Sequence, residues 1–354
     1  MEHRRVRALT VIAAAAAFVF GTGAITLREP PDRDPGGAPV KDAPWQADIN
    51  PDVGVQVATD AELLEPGEPG YAEQCPTDLD ASRSGSPEDP FVVEGCLFRG
   101  VTLRGNGADY VEVRNNKFVG GATLLVNDTP DDSQHWRISQ NTVDGGSVGV
   151  GAPPQCAAVW GSYAVVIRNE LMRCVDGLKI SNERTDNRNV VLLNHIHSLV
   201  AYRLAGESDG THSDGIQMQG GAQGTTVVAA NYIDMADSSP GDGWGTNGGV
   251  QIGDEKIWNP TACIGQVWIF WNVLGAQNYF ANGKGGDKCP ATIDPVTGDD
   301  LGPGEVVLSH NRLLPDFTSY GFLLSDSCEG NVWHRDGRAY GEDVFEDFGV
   351  ETCF

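Results

Sequence analysis

The hydrophobic pattern of this chain is a short strand figure that returns. Behind the polar turn Thr211-His212-Ser213-Asp214-Gly215, Ile216 and Met218 alternate with Gln217 and Gln219. Alternation with a period of two gives a strand one apolar face and one amide face. The figure also stands at Asp176-Gly177-Leu178-Lys179-Ile180, at Gly248-Gly249-Val250-Gln251-Ile252 and, more loosely, at Tyr320-Gly321-Phe322-Leu323-Leu324. A strand that recurs behind glycine predicts a solenoid, whose repeats bury their apolar faces only by stacking on one another.

A second family of strands supports this. Residues 111–116, 136–141, 165–169, 190–194, 227–231, 267–272 and 306–311 each read as a strand ending in asparagine. An apolar residue follows each time: Phe118, Val143, Leu171, Ile196, Ile233, Leu274 and Leu313. The asparagines are 25, 28, 25, 37, 41 and 39 residues apart. The short steps fit one coil of a β-solenoid, and the long steps fit a coil carrying a loop insertion. Residues 91–98 read as an earlier copy with Cys96 in the asparagine place, and Asn331 as the start of a shortened last coil. Asparagine suits a bend made once per coil, because it tolerates left-handed backbone angles and bonds nearby backbone groups. In stacked coils its amide can also bond the amide above.

This repetition, across residues 90–335, resembles the pectate-lyase-like superfamily. The resemblance implies an all-β fold, a right-handed parallel β-helix with loop insertions and disulfides. It also implies an extracellular enzyme on acidic polysaccharide: a lyase, glycoside hydrolase, esterase or epimerase. Adhesins and phage tailspikes share that fold, so the fold narrows the function without selecting it. The aspartate signature of its hydrolases and the signature of its lyases are each matched only in part.

The remaining segments fit an exported protein. Residues 1–25 carry Arg4, Arg5 and Arg7, an apolar run over 9–20, then Gly21, Thr22, Gly23 and Ala24. That order predicts a signal peptide; left uncleaved, it would be an N-terminal anchor and the one expected membrane contact. Residues 26–70 read as a Pro/Gly/Asp-rich linker with a cap helix near 60–64, and residues 71–354 as one β-helix domain. The 45 glycines in 354 residues exceed the usual fraction of about 7% and fit tight turns between short strands. A net charge of −25 argues against a nucleic-acid partner. Eight cysteines in an exported chain predict disulfides between sequence neighbours: Cys75–Cys96, Cys156–Cys174, Cys263–Cys289 and Cys328–Cys353.

Candidate chemistry follows from stacking. If Leu178, Ile180, Ile216, Met218, Val250 and Ile252 point inward, then Lys179, Gln217 and Gln251 form one outward column with a spacing of about 4.8 Å. Ser181 and Gln219 fall in the next column. Asp176 and Asp214 occupy equivalent places on successive coils. Two carboxylates that close raise one another's pKa or share a cation such as Ca²⁺; alternatively each caps its own turn. His212 is a general acid or base, or a turn residue orienting Asp214. His195 and His197 flank Ile196 and so point away from its face, as site residues or as an exposed strand end.

In several lyases of the resembling superfamily a Lys or Arg is the base and Ca²⁺ supplies positive charge. The resemblance therefore implies Lys179 or Arg203 as base, and Asp176 with Asp214 as metal ligands. Hydrolysis would use the same carboxylates as acid and as base or nucleophile. Gln217, Gln219, Gln251 and Trp244 would bind substrate, Trp244 by stacking on a sugar ring unless it plugs its loop onto the solenoid. All three long coil steps lie between Asn194 and Asn311, around His212 and Asp214, which places the expected site there. Two functions remain open: an exported enzyme acting on polysaccharide, or a non-catalytic solenoid that binds glycan or decorates the cell surface.

Overall fold

The structure is a computed structural model that describes residues 53–56, 59–126, 134–146, 155–160, 162–182, 188–200, 213–222, 224–235, 247–253, 263–275, 279–282, 287–293, 298–314 and 322–333. It is a parallel β-helix. Three sheets of nine parallel strands run its length, and each coil contributes one strand to each sheet. One central coil is Asp176–Asn182, Arg188–Leu192 and His195–His197, and the next is Asp214–Ala222, Thr225–Ala229 and Tyr232–Asp234. The recurring glycine-led figure supplies strands of the first sheet. The asparagine-ended strands form the second sheet, and the apolar residues beyond each asparagine belong to the third.

In-register pairing turns the apolar pattern into columns. Leu103, Leu124, Ala157, Leu178, Ile216, Val250 and Ala281 stack in the first sheet. Val93, Val113, Ile138, Val166, Val191, Val228, Ile269 and Leu308 stack in the second. Phe98, Phe118, Val143, Leu171, Ile196, Ile233, Leu274 and Leu313 stack in the third. All are buried in one continuous core. Each coil has too little apolar surface to close alone, so the hydrophobic gain comes from neighbours covering one another.

The asparagines form a ladder at the corner between the second and third sheets. The backbone N–H and the side-chain amide of Asn141 both donate to Asn169 Oδ1, at 3.0 Å each, while the same amide donates to the Val113 carbonyl at 2.9 Å. The motif repeats through Asn116, Asn194, Asn231, Asn272, Asn311 and Asn331, all buried. Cys96 occupies the first rung, where its N–H donates to Asn116 Oδ1 and its sulfur bonds Cys75. One expectation is corrected. The left-handed residue is not the asparagine but the one before it: Asn115, Gln140, Arg168, Leu193, Ala230, Trp271 and His310 all have φ between 53° and 57°. Asparagine is selected for its side chain, which both donates and accepts in a buried corner where no water can serve.

The N-terminal end is capped by residues that the sequence assigns to a linker. Leu63 is buried, and Leu64 pairs in parallel with Cys96, accepting from the Leu97 N–H at 3.0 Å. The cap helix near 60–64 is a single 3₁₀ turn, Asp60–Glu62, with a second short helix at Tyr71–Gln74. Three of the expected disulfides are present: Cys75–Cys96, Cys156–Cys174 and Cys263–Cys289. Cys328 is also disulfide-bonded, while Cys353 lies outside the described residues. No helix among the described residues is long and apolar enough to cross a membrane.

Candidate functional site

The glycine of the recurring figure has a steric cause. A Cβ on Gly177 would stand 2.4 Å from Ile196 Cγ2 and 2.6 Å from the Gly215 carbonyl; one on Gly215 would stand 2.5 Å from Ile233 Cγ2 and 2.6 Å from the Gly249 carbonyl. At this corner the chain turns against the core with no room for a side chain. The preceding residue therefore carries the corner's only functional group, and in two successive coils it is aspartate.

Those aspartates are near neighbours, as their equivalent positions require. Asp176 Oδ1 accepts from the Asp214 backbone N–H at 3.0 Å. Asp214 in turn accepts from the Gly248 N–H at 2.9 Å and the Asn247 amide at 3.1 Å through Oδ1, and from the Gln217 amide at 3.1 Å through Oδ2. Each aspartate thus caps the turn of the following coil rather than its own. Asp214 is fully buried and Asp176 nearly so. Burial pushes the Asp176 carboxyl up to about 7, against the opposing pull of the Asp214 N–H and the charge of Lys179. Burial, and then the Asp176 charge beside it, hold Asp214 well above the usual carboxylate range.

The outward column forms as the alternation predicts. Ala158, Lys179, Gln217, Gln251 and Asn282 pair in register on consecutive strands. Lys179 and Gln251 are half-buried and Gln217 is buried. The second expected column falls at an irregularity. The register shifts between Ile180 and Asn182: Asn182 pairs with Ala222, so the later strand carries two additional residues across the stretch that holds Ser181 and Gln219. Gln219 lies in that strand, but its side chain is outside the described set, as are Arg203, His212 and Trp244.

A second cluster lies on the outward face of the third sheet. His195 and His197 flank the inward Ile196, as their spacing predicts, and their rings stack with centroids 4.0 Å apart. Glu170 pairs with His195 from the coil before. Its Oε1 stands 3.4 Å from His197 Nε2, and its Oε2 accepts from the Thr142 hydroxyl at 3.2 Å. The hydrogen bond from His197 lowers the Glu170 pKa despite burial. Burial, followed by the charge of His197, lowers His195 to about 4. Sequence reasoning named the histidines but missed Glu170. Its signal was available only through the coil step, because Asn169 and Asn194 are equivalent and Glu170 and His195 follow them.

Among the described residues, Glu170, His195 and His197 are the one group of three or more potential ligands within reach of a single ion. Asp176 and Asp214 do not assemble such a group there. Neither a family model, nor a curated protein, nor a solved structure matches this chain.

Proposed function

We propose that this protein is an exported β-helix of the pectate-lyase-like kind that engages polysaccharide along the outward wall of its first sheet. The observation carrying the reading is the in-register column of Lys179, Gln217 and Gln251. Gln217 in that column is buried and donates to Asp214, so the wall presents Lys179 and Gln251, two strand spacings of about 4.8 Å apart, and a linear glycan carries hydroxyl-bearing rings along that direction. Lys179 gives a chain with a net charge of −25 a local positive point for a uronate carboxylate. Buried disulfides agree with an oxidising, extracellular setting.

A second reading, turnover at this wall, is favoured by Asp176. Burial raises the Asp176 carboxyl above the usual carboxylate range, the direction a general acid needs, and Lys179 is on the same strand. That state suits glycosidic hydrolysis better than Ca²⁺-assisted β-elimination, since both Asp214 oxygens already accept protein donors. Polysaccharide binding is measured on a panel of acidic and neutral glycans, with Ca²⁺ and with chelator. Lys179→Ala should weaken binding to uronate glycans at least 5-fold and leave neutral glycans nearly unchanged, an effect of about 1 kcal/mol. Reducing ends released by the wild type without unsaturated product, and lost in Asp176→Asn with binding retained, would identify a hydrolase. Ultraviolet-absorbing unsaturated product would identify a lyase. Wild-type protein that binds no glycan on the panel refutes the proposal.

A further inference from the structure

The third-sheet cluster is on a different sheet from the proposed wall and has its own chemistry. We propose that Glu170, His195 and His197 form a binding site for a zinc-class divalent cation, with Glu170 Oε1 and one ring nitrogen of each histidine as ligands. Two imidazoles and one carboxylate are a donor set suited to borderline metals rather than to Ca²⁺ or Mg²⁺, which prefer oxygen throughout. Three protein ligands leave a tetrahedral ion one open position.

The geometry is close to what such an ion needs. Ligand atoms about 2.0–2.1 Å from zinc in a tetrahedral site are roughly 3.4 Å from one another. Glu170 Oε1 and His197 Nε2 already stand 3.4 Å apart. Candidate ligand atoms of all three residues lie within 4.8 Å of one another, so rotation of the His195 ring completes the closure.

The surroundings orient the ligands as an outer shell does. The Thr142 hydroxyl engages Glu170 Oε2 and leaves Oε1 toward the histidines. That hydroxyl accepts from the Val55 N–H at 3.1 Å, and the Gly54 N–H donates to the Arg168 carbonyl at 2.9 Å, so residues 53–56 strap the same corner. Ser198 Oγ lies 3.0 Å from His197 Nδ1, which directs Nε2 to Glu170. Gly54 has φ of 78°, and a Cβ there would stand 2.7 Å from Thr142 Oγ1 and 3.2 Å from Glu170 Oε2. An ion here would join two successive coils, Glu170 from one and the histidines from the next.

The test uses the full, oxidised, tag-free chain stripped with chelator. Zinc chloride is titrated by calorimetry, and Co²⁺ reports coordination through its visible absorption. The wild type should bind one equivalent, and its thermal midpoint should rise by roughly 5 °C at saturating zinc. His195→Ala, His197→Ala and Glu170→Gln should each weaken binding at least 10-fold. The double variant H195A/H197A should lose both the Co²⁺ spectrum and the thermal shift. Should a histidine-to-alanine variant unfold, His195→Asn and His197→Gln keep polar bulk and carry the same expectation. Zinc affinity unchanged in Glu170→Gln and in the histidine variants, or no wild-type binding at millimolar zinc, overturns the proposal.

Discussion

Substituting asparagine for Asp176 should make the protein more stable at alkaline pH while leaving it nearly unchanged in acid. The folded-state pKa of Asp176 is raised from 3.8 to about 7, so the folded chain holds that proton more tightly than the unfolded chain does. The stability this confers is complete below pH 3.8 and is lost as pH rises through 7. A shift of about 3 units corresponds to roughly 4 kcal/mol. The side chain is 8% exposed, so solvent screening removes little of this. The amide introduced by Asp176→Asn would retain an oxygen for the Asp214 N–H, now made at 3.0 Å, and would relieve the charge that helps raise Asp214. The attraction to Lys179 is already contained in that shift and adds no separate loss. The expectation is a gain on the order of 4 kcal/mol at pH 8 that fades toward pH 4. Urea unfolding of the oxidised proteins at several pH values measures it. A variant less stable than wild type at pH 8, or one with the same pH slope, would refute the account of Asp176 as a buried carboxyl whose ionisation opposes folding.

Two further substitutions test the scaffold. Asn169→Ala should cost about 3 kcal/mol or more in chemical denaturation, because the buried Asn141 N–H and amide lose their shared acceptor, now at 3.0 Å. Gly215→Ala should destabilise by about 2–4 kcal/mol, since its Cβ would be 2.5 Å from Ile233 Cγ2. Gly67→Ala, with φ of 96° but nothing within 4 Å, should cost only about 1 kcal/mol, and equal losses at both glycines would contradict the steric reading.

Much of the scaffold was legible in the chain because a solenoid writes its geometry into residue spacing. Asn141, Asn169 and Asn194 had to recur once per coil, as each rung bonds only the next. The strands Tyr279–Asn282 and Gln155–Trp160 carry no glycine-led opening and are not marked by the recurring figure, although they stack with strands that have it. The alternation of Lys179 and Gln217 with Ile180 and Ile216 gave the wall, and that of His195, Ile196 and His197 gave the paired imidazoles.

By itself, then, the order of residues determined which faces turn inward and where each coil bends, because both depend on neighbours a few positions away along one strand. Only the tertiary structure decided what the polar groups meet there. Glu170 reaches His197 across a coil boundary, Asp214 is enclosed by donors from two coils, and a register shift between Ile180 and Asn182 falls where the pattern would have continued a column. Those outcomes turn on how far each coil slides over the last, and sliding is set by loop insertions and bulges whose lengths carry no periodic signature.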